Sequence, residues 1–493
     1  MYKYFSGERT RRVRFDHEHP KYEDFIDLWD KCRTCYLGEE AVKKASQSYL
    51  PFLSGQESTE YYRYKSRAIF LNIVKRTVQG LVGAAIRKTP IIDVPVGLEP
   101  HLEDCDLLGT SITELIHDIL EELLVTGRST LVIDRMDNSR TYLTQYNAES
   151  FMNWRMNQNV PTMAVFAEQL DVSMDGYDHH MKTQYRVYDF NEAGEVRVQI
   201  AMEKPPEEQK EDEDAFEIIY ETVPTMKGDA LRKLPIFTIN STGLGFDTMD
   251  SPPLLDLANL SLSHYRTSAD LENGRHYTSL PQPWITGVDP DEYRHGIAVG
   301  GDTAWIIPNE MAKLGYLEFT GAGLGSLENA LSEKEQMMAI AGARLLESKK
   351  GVESAEVSRI RQNIETSILS SIVINLQNGI EKALKYMAEW EGLNPDDVNV
   401  ELNMDFVDVR IPHQEIIALV QSYQMGGISM DTLLHNLKQG EVIPSDVSIE
   451  EERDKIELDH GTVEQPQQDR SEVLEDSPEE KVRKELSDSG RGD

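Results

Sequence analysis

Apolar positions along this chain keep a helical period near its start and again in its second half, and an alternating period between the two. From Tyr22 to Lys44, the residues Phe25, Ile26, Trp29, Cys32 and Tyr36 recur at mixed three- and four-residue spacing, which predicts a helix. A tyrosine-rich stretch (Tyr61, Tyr62, Tyr64) opens a second, long helix. Its face is Phe70, Ile73, Val74, Thr77, Leu81 and Ile86, and Pro90 stops it. A third helix starts at Ser111, whose hydroxyl can cap it, with Glu114 as capping-box partner. Ile112, Leu115, Ile116, Ile119, Leu120 and Leu123 line its buried face, and Gly127 closes it.

Alternation then takes over. Strands are predicted at Ser129 to Asp134, Tyr142 to Tyr146, Met163 to Leu170, Gln184 to Phe190, Val196 to Met202, Phe216 to Glu221 and Pro235 to Ile239. Asn191 to Gly194 reads as a turn, and the acidic run from Pro205 to Asp214 as an exposed hairpin loop. Helical periods return at Pro253 to Thr278 and Leu327 to Leu346. Between them lies a Pro- and Gly-rich stretch with short strands at Thr303 to Ile307 and Gly315 to Phe319. A much longer helix follows, in which Ile360, Ile364, Ile368, Ile372, Leu376, Ile380 and Leu384 repeat every four residues until Gly392 and Pro395. Val398 to Phe406 reads as a strand, Pro412 to Gln424 and Met430 to Lys438 as short helices. After Ile456 the aromatics vanish, the composition turns to Glu, Asp, Ser and Gln, and a disordered tail is expected.

At 493 residues with 39% hydrophobic content, the chain can bury a sizeable core under a highly charged surface. Lys75 and Arg76 break the most apolar run, so no membrane span is expected, and the Arg-rich start lacks the apolar stretch of a secretory signal. Three cysteines make no disulfide framework and suit a reducing compartment. The net charge of -36 argues against tight wrapping of nucleic acid, because that needs Lys and Arg to displace counterions. It leaves open a passage through which DNA slides, since an acidic wall offers phosphates nowhere to stick.

Motifs for chemistry are few. Cys32 and Cys35 match C-x-x-C but fall inside a predicted helix with no strand before it and no second pair for zinc, so a structural role is expected. Gly321, Gly323 and Gly325 are spaced G-x-G-x-G, not G-x-G-x-x-G, and read as a joint. Asp178, His179 and His180 sit in a predicted loop without a partner cluster. No metal site, cofactor or catalytic residue is expected. Lys349 and Lys350, flanked by Ser348 and Gly351 between two long helices, allow two readings: an ordinary polar turn, or a loop making transient point-charge contacts with phosphates.

One resemblance runs through this order of parts. His19-Pro20 with Tyr22 and Trp29, Tyr49-Leu50-Pro51, Tyr64-Lys65-Ser66-Arg67-Ala68, Arg76-Thr77-Val78 and Gly127-Arg128 lead it. Ser251-Pro252-Pro253-Leu254-Leu255-Asp256-Leu257-Ala258, His264-Tyr265-Arg266, Gly342-Ala343-Arg344-Leu345-Leu346, Glu353-Ser354-Ala355-Glu356 and Asn403, Asp405, Phe406 continue it. The chain thereby resembles the portal (head-to-tail connector) proteins of tailed bacteriophages, in particular siphovirus-like portals.

The resemblance implies an α+β portal fold, non-enzymatic, assembled as a ring, commonly of twelve. Residues 1–250 would be a helical and β wing, 251–280 and 319–346 two stem helices, and 281–318 a clip. Residues 347–356 would form a tunnel loop, 357–407 a long kinked tunnel helix with a return strand, 408–458 a helical crown, and 459–493 an acidic tail. It further implies double-stranded DNA in transit past Ser348, Lys349, Lys350 and Gly351. Terminase, and later a head–tail adaptor, would dock at the clip through Trp284, Asp289, Asp291, Tyr293 and Arg294. The major capsid protein would surround the ring in the virion, after assembly in the host cytoplasm and with no membrane partner. The residues alone also permit a metal- or nucleotide-dependent enzyme using the Gly321 loop or the Asp178 cluster, or a capsid scaffold protein without a channel.

Overall fold

The computed structural model describes residues 14–135, 140–173, 176–205, 215–279, 282–289, 291, 307, 309–317, 321–343, 368–404, 406, 413–439, 442–443 and 447–462. The chain divides into two compact units, the boundary falling after Phe406. The larger mixes helices and antiparallel sheets in an α+β arrangement, and the smaller is helical among the described residues.

Helix α1 (Pro20–Leu37) begins where His19 accepts a hydrogen bond from the Lys21 amide through Nδ1, and Pro20 supplies a pre-set φ in the first turn. It stops at Gly38, whose φ of +98° only glycine adopts easily, and α2 (Glu39–Ala45) starts afresh. The single helix expected through Lys44 is therefore two. Asn72 explains much of the local design. Its amide donates to the Tyr36 carbonyl (3.1 Å) and its oxygen accepts from the Lys75 amide (3.0 Å). A Cβ on Gly38 would collide with it. The same cap splits the next expected helix into α3 (Ser58–Arg67) and α4 (Ile73–Ala85), because an N-cap asparagine starts a helix and cannot continue one.

A short strand β1 (Ile91–Asp93) and turn of helix α5 (Glu99–Glu103) lead to α6 (Ile112–Val125). The reciprocal Ser111–Glu114 capping box is present as expected, and all six expected core positions of α6 are buried.

The strands form two principal sheets. One has the order β12 (Gly243–Leu244), β11 (Ile236–Asn240), β2 (Arg128–Arg135), β3 (Thr141–Asn147). The other is a meander of β4 (Phe151–Asn157), β5 (Val160–Asp171), β6 (Met181–Phe190), β7 (Val196–Glu203) and β8 (Phe216–Thr222). A small hairpin of β9 (Thr225–Met226) and β10 (Asp229–Ala230) follows β8. Strand β4 was not foreseen. Its turn to β5 is Gln158-Asn159, both at positive φ, so a tight hairpin is made here without the glycine that usually signals one. The expected acidic loop falls at residues 206–214, outside the described residues.

The second half supplies α7 (Leu255–Ser279), a hairpin of β13 (Gln282–Thr286) and β14 (Lys313–Leu317), and α8 (Leu324–Ala343). Strand β14 starts and ends two residues before the expected one, and the strand expected at Thr303 to Ile307 lies almost wholly outside the described residues. Helix α9 (Ile368–Glu391) then closes the core: Ile372, Leu376, Ile380 and Leu384 of the four-residue stripe are fully buried. Each such side chain contributes about 1.5–3 kcal/mol relative to exposure. Ile360 and Ile364 lie outside the described residues. Ile368, at the described start of α9, is exposed. At Gly379 the helix backbone comes so close to β11 that a Cβ would overlap the Ile239 side chain. The strand expected over Val398 to Phe406 is shorter, β15 (Asn399–Glu401), and pairs with β1 across more than 300 residues.

In the smaller unit, α10 (His413–Gln424) and α11 (Met430–Gln439) match the expected helices, and α12 (Ile449–Thr462) was not foreseen. Ser448 caps α12, its hydroxyl accepting from the Glu451 amide while the Glu451 carboxylate accepts from the Ser448 amide, and Lys438 reaches the Val447 carbonyl (2.8 Å). The helix runs past residue 459, where the tail was expected to begin. A cap and three first-turn carboxylates suffice to start it without aromatic residues.

Candidate functional site

The arm made by α7, the β13–β14 hairpin and α8 holds three of the five residues that the resemblance implied for docking. Helix α7 has 25 residues and α8 has 20, so they extend about 38 and 30 Å. The two are joined by specific contacts more than by an apolar seam. Met338 is buried against Ser261, whose hydroxyl lies 3.5 Å from its sulfur. Lys334 donates to the Ser263 carbonyl (3.1 Å) and to Thr267 Oγ1 (2.5 Å). Further along, Arg275 bridges Glu272 (2.9 Å) and Glu328 (2.8 Å). Gly274 leaves room for Leu324 where any Cβ would collide.

His264 sits on this seam with Nε2 3.4 Å from Glu335. Burial pulls its pKa below the ordinary histidine value, outweighing the opposing pull of Glu335. Burial likewise lowers the Lys334 pKa, with the charge of Arg266 adding to it.

At the far end, β13 and β14 pair antiparallel with Trp284 opposite Gly315. The indole covers the glycine so closely that a Cβ at 315 would come within 3.0 Å of it. An aromatic ring over a strand glycine supplies the packing that the glycine lacks. Trp284 is nevertheless 42% exposed, and Leu314, Tyr316 and Leu317 on β14 are more exposed still. These three were missed as surface residues, although the alternation of Lys313-Leu314-Gly315-Tyr316-Leu317 carries the signal for a strand.

Beyond β13, the Asp289 carboxylate accepts from the Asp291 amide (3.0 Å), and both residues are exposed. Trp284, Asp289 and Asp291 thus share the hairpin end of the arm. Tyr293, Arg294 and the four loop residues Ser348, Lys349, Lys350 and Gly351 lie outside the described residues.

The Gly321 loop and the Asp178 cluster are each placed by local contacts. Gly321, at φ +66°, is a joint packed by the Thr278 and Leu324 side chains. His179 Nδ1 pairs with Asp171 (2.6 Å) and His180 with Asp178 (3.0 Å) in an exposed loop. Among the described residues no three His, Cys, Asp or Glu side chains are grouped to hold a metal. Cys32 and Cys35 are buried within α1, and burial pushes both thiols up to about 12, far from the reactive thiolate range.

Two partly buried charge clusters, invisible in the sequence, tie elements of the larger unit together. Arg33 forks onto Glu122 (2.6 and 2.9 Å) and Glu149 (2.7 and 2.8 Å), joining α1, α6 and the turn before β4. Arg186 pairs with Glu168 (2.7 Å) and, at 3.5 Å, with Asp134, joining the two sheets.

Residues 253–391, which run from the start of the arm through α9, match a family described as a domain of unknown function, DUF4055. No curated protein matches the chain. Among solved structures, a chain from the virion of a native gene transfer agent particle aligns at 13% identity and TM-score 0.37, over 80% of this chain and 98% of that one. A chain from the neck of the native particle, computed with C12 symmetry, aligns at 14% identity and TM-score 0.36 over 74% of this chain and 89% of that one. One from the neck of the empty particle, computed with C6 symmetry, aligns at 13% and 0.37, over 75% and 90%.

Proposed function

We propose that this chain is a portal subunit, one wedge of a ring at a capsid vertex through which double-stranded DNA enters and leaves. It acts without catalysis of its own: terminase docks at the hairpin end of the arm during packaging, and a head–tail adaptor docks there afterwards. The observation that carries the reading is the layout of residues 255–391. A two-helix arm ends in a β-hairpin with exposed Trp284, Tyr316 and Leu317, and is followed in the chain by a long helix anchored in the core. Such an arm has little buried surface of its own at its tip, which suits a part completed by neighbours.

The charge fits the same reading. At -36 per chain, twelve copies would carry about -430, a field that repels phosphates from the bore. Lys349 and Lys350 would then centre the duplex without trapping it. The test is replacement of both lysines by Ala in the full chain. Ring formation is expected to be unchanged in electron micrographs, while DNA packaged or retained per particle falls several-fold. Loss of rings in that variant would make the loop a structural element and remove its role toward DNA.

A further inference from the structure

Strand β8 is the outer strand of its sheet: among the described residues it pairs with β7 and has no strand on its other side. A bulge leaves Ile219 without an opposite residue in β7, and the consecutive apolar residues Ile218, Ile219 and Tyr220 are 46%, 49% and 47% exposed. Exposed apolar edge strands invite pairing with another segment, and bulges alone blunt them only in part.

The chain itself delivers a segment to this edge. The His19 amide bonds to the Met152 carbonyl (2.9 Å) and the Asn153 side chain to the His17 carbonyl (2.7 Å), both on β4. Four residues earlier, Phe15 packs edge-on against Phe216, the first residue of β8, with ring centroids 5.6 Å apart. The Arg14 guanidinium is held charged first by Asp16 and more weakly by Glu203, the last residue of β7. Read backward from His19, the chain thus crosses the sheet from β4 and arrives at the Phe216 end of β8.

Residues 1–13 lie beyond that point, outside the described residues. They carry Lys3, Arg9, Arg11 and Arg12 against a single acid, Glu8, and the aromatics Tyr2, Tyr4 and Phe5. The edge they would meet carries Glu217 and Glu221, both exposed, beside the apolar residues, Glu221 also accepting from Gln199 of β7 (2.6 Å). Thirteen extended residues reach about 43 Å, whereas the seven of β8 need only about 23 Å. Going from Phe216 toward Thr222 while running back toward Met1 makes the pairing antiparallel, like every other pair in this sheet.

We propose that residues 1–13 dock along β8 of their own chain as an added antiparallel strand, with the arginines over Glu217 and Glu221. The added strand closes the sheet edge. It also makes the edge salt-sensitive, because exposed ion pairs are screened. The inference does not rest on the portal reading.

Amide hydrogen exchange tests it, comparing the full chain with a chain lacking residues 1–13 and with R9E/R11E/R12E. Those amides among Ile218, Ile219 and Tyr220 that face away from β7 are expected to exchange at least roughly tenfold faster in both variants, with α6 amides unchanged. A synthetic peptide of residues 1–13 should restore protection to the truncated chain. Equal exchange at these amides in all chains would overturn the proposal, as would protection appearing only at the acidic run 206–214. If truncation also loosens α6, the charge-reversal variant decides. A disulfide between R9C and E221C is expected within one chain; exclusive cross-linking between singly substituted copies would overturn the own-chain assignment.

Discussion

Arg33 binds two carboxylates at once, and its replacement leaves both behind. Glu122 and Glu149 are more than three-quarters buried, so Arg33→Ala strands two charges with no counter-charge of equal reach. The expected loss is on the order of 3 kcal/mol, read as a lower denaturant midpoint with an unchanged slope. Gly379 tests packing instead of charge. Because a Cβ there overlaps Ile239, which is fully buried, Gly379→Ala should cost about 1–3 kcal/mol even though alanine favours a helix. A stabilised Gly379→Ala protein would mean that α9 and β11 do not approach so closely.

Arg128 is placed differently, with only the more distant charge of Asp247 opposing the effect of burial. It is fully buried, donates to Asn240 (3.1 Å) and to the Phe246 carbonyl (2.9 Å), and lies over the Phe151 and Trp154 rings at 5.0 and 4.9 Å. Burial pulls it down to about 9. Two facing aromatic rings partly replace the water it has lost.

Among the elements, the arm carries a pH dependence with a definite sign. His264 has its folded pKa lowered, first by burial, so below about 6.5 the unfolded chain binds a proton that the folded chain resists. Stability is therefore present above that pH and lost as the pH falls. Calorimetric Tm should drop between about pH 6.5 and 5, and His264→Gln should flatten the slope. His101, also lowered first by burial, keeps the same sign and leaves part of it. A Tm that rises on acidification through this range would contradict the assignment.

The elements also mark how far the sequence could be read. Strong periods, as in α6 and at the C-terminal end of α9, located helices to within a few residues, because the buried face and the caps are written in consecutive positions. The breaks at Gly38 and Asn72 were missed, since both depend on a contact between residues that only the fold brings together. Strand β4 was missed because its hairpin turn uses Gln158 and Asn159 at positive φ, which composition does not announce. Of the candidate site, Trp284, Asp289 and Asp291 fall together at the end of the arm. The exposed apolar residues of β14 were hidden, because short alternating runs look alike whether buried or not.

At the scale of the whole molecule, the proposed portal is a closed ring of many copies around an axis. The arm exposes Trp284, Met311, Leu314 and Tyr316 near its hairpin, and Met337 and Ile340 along α8. Among the described residues no helix is long and apolar enough to cross a membrane. The measurement that tests the central claim most directly is the native mass of the purified full chain. The account predicts a single closed species near twelve times 56.0 kDa, with an open centre in micrographs of the same sample. A mass of 56.0 kDa that persists at high protein concentration would contradict it.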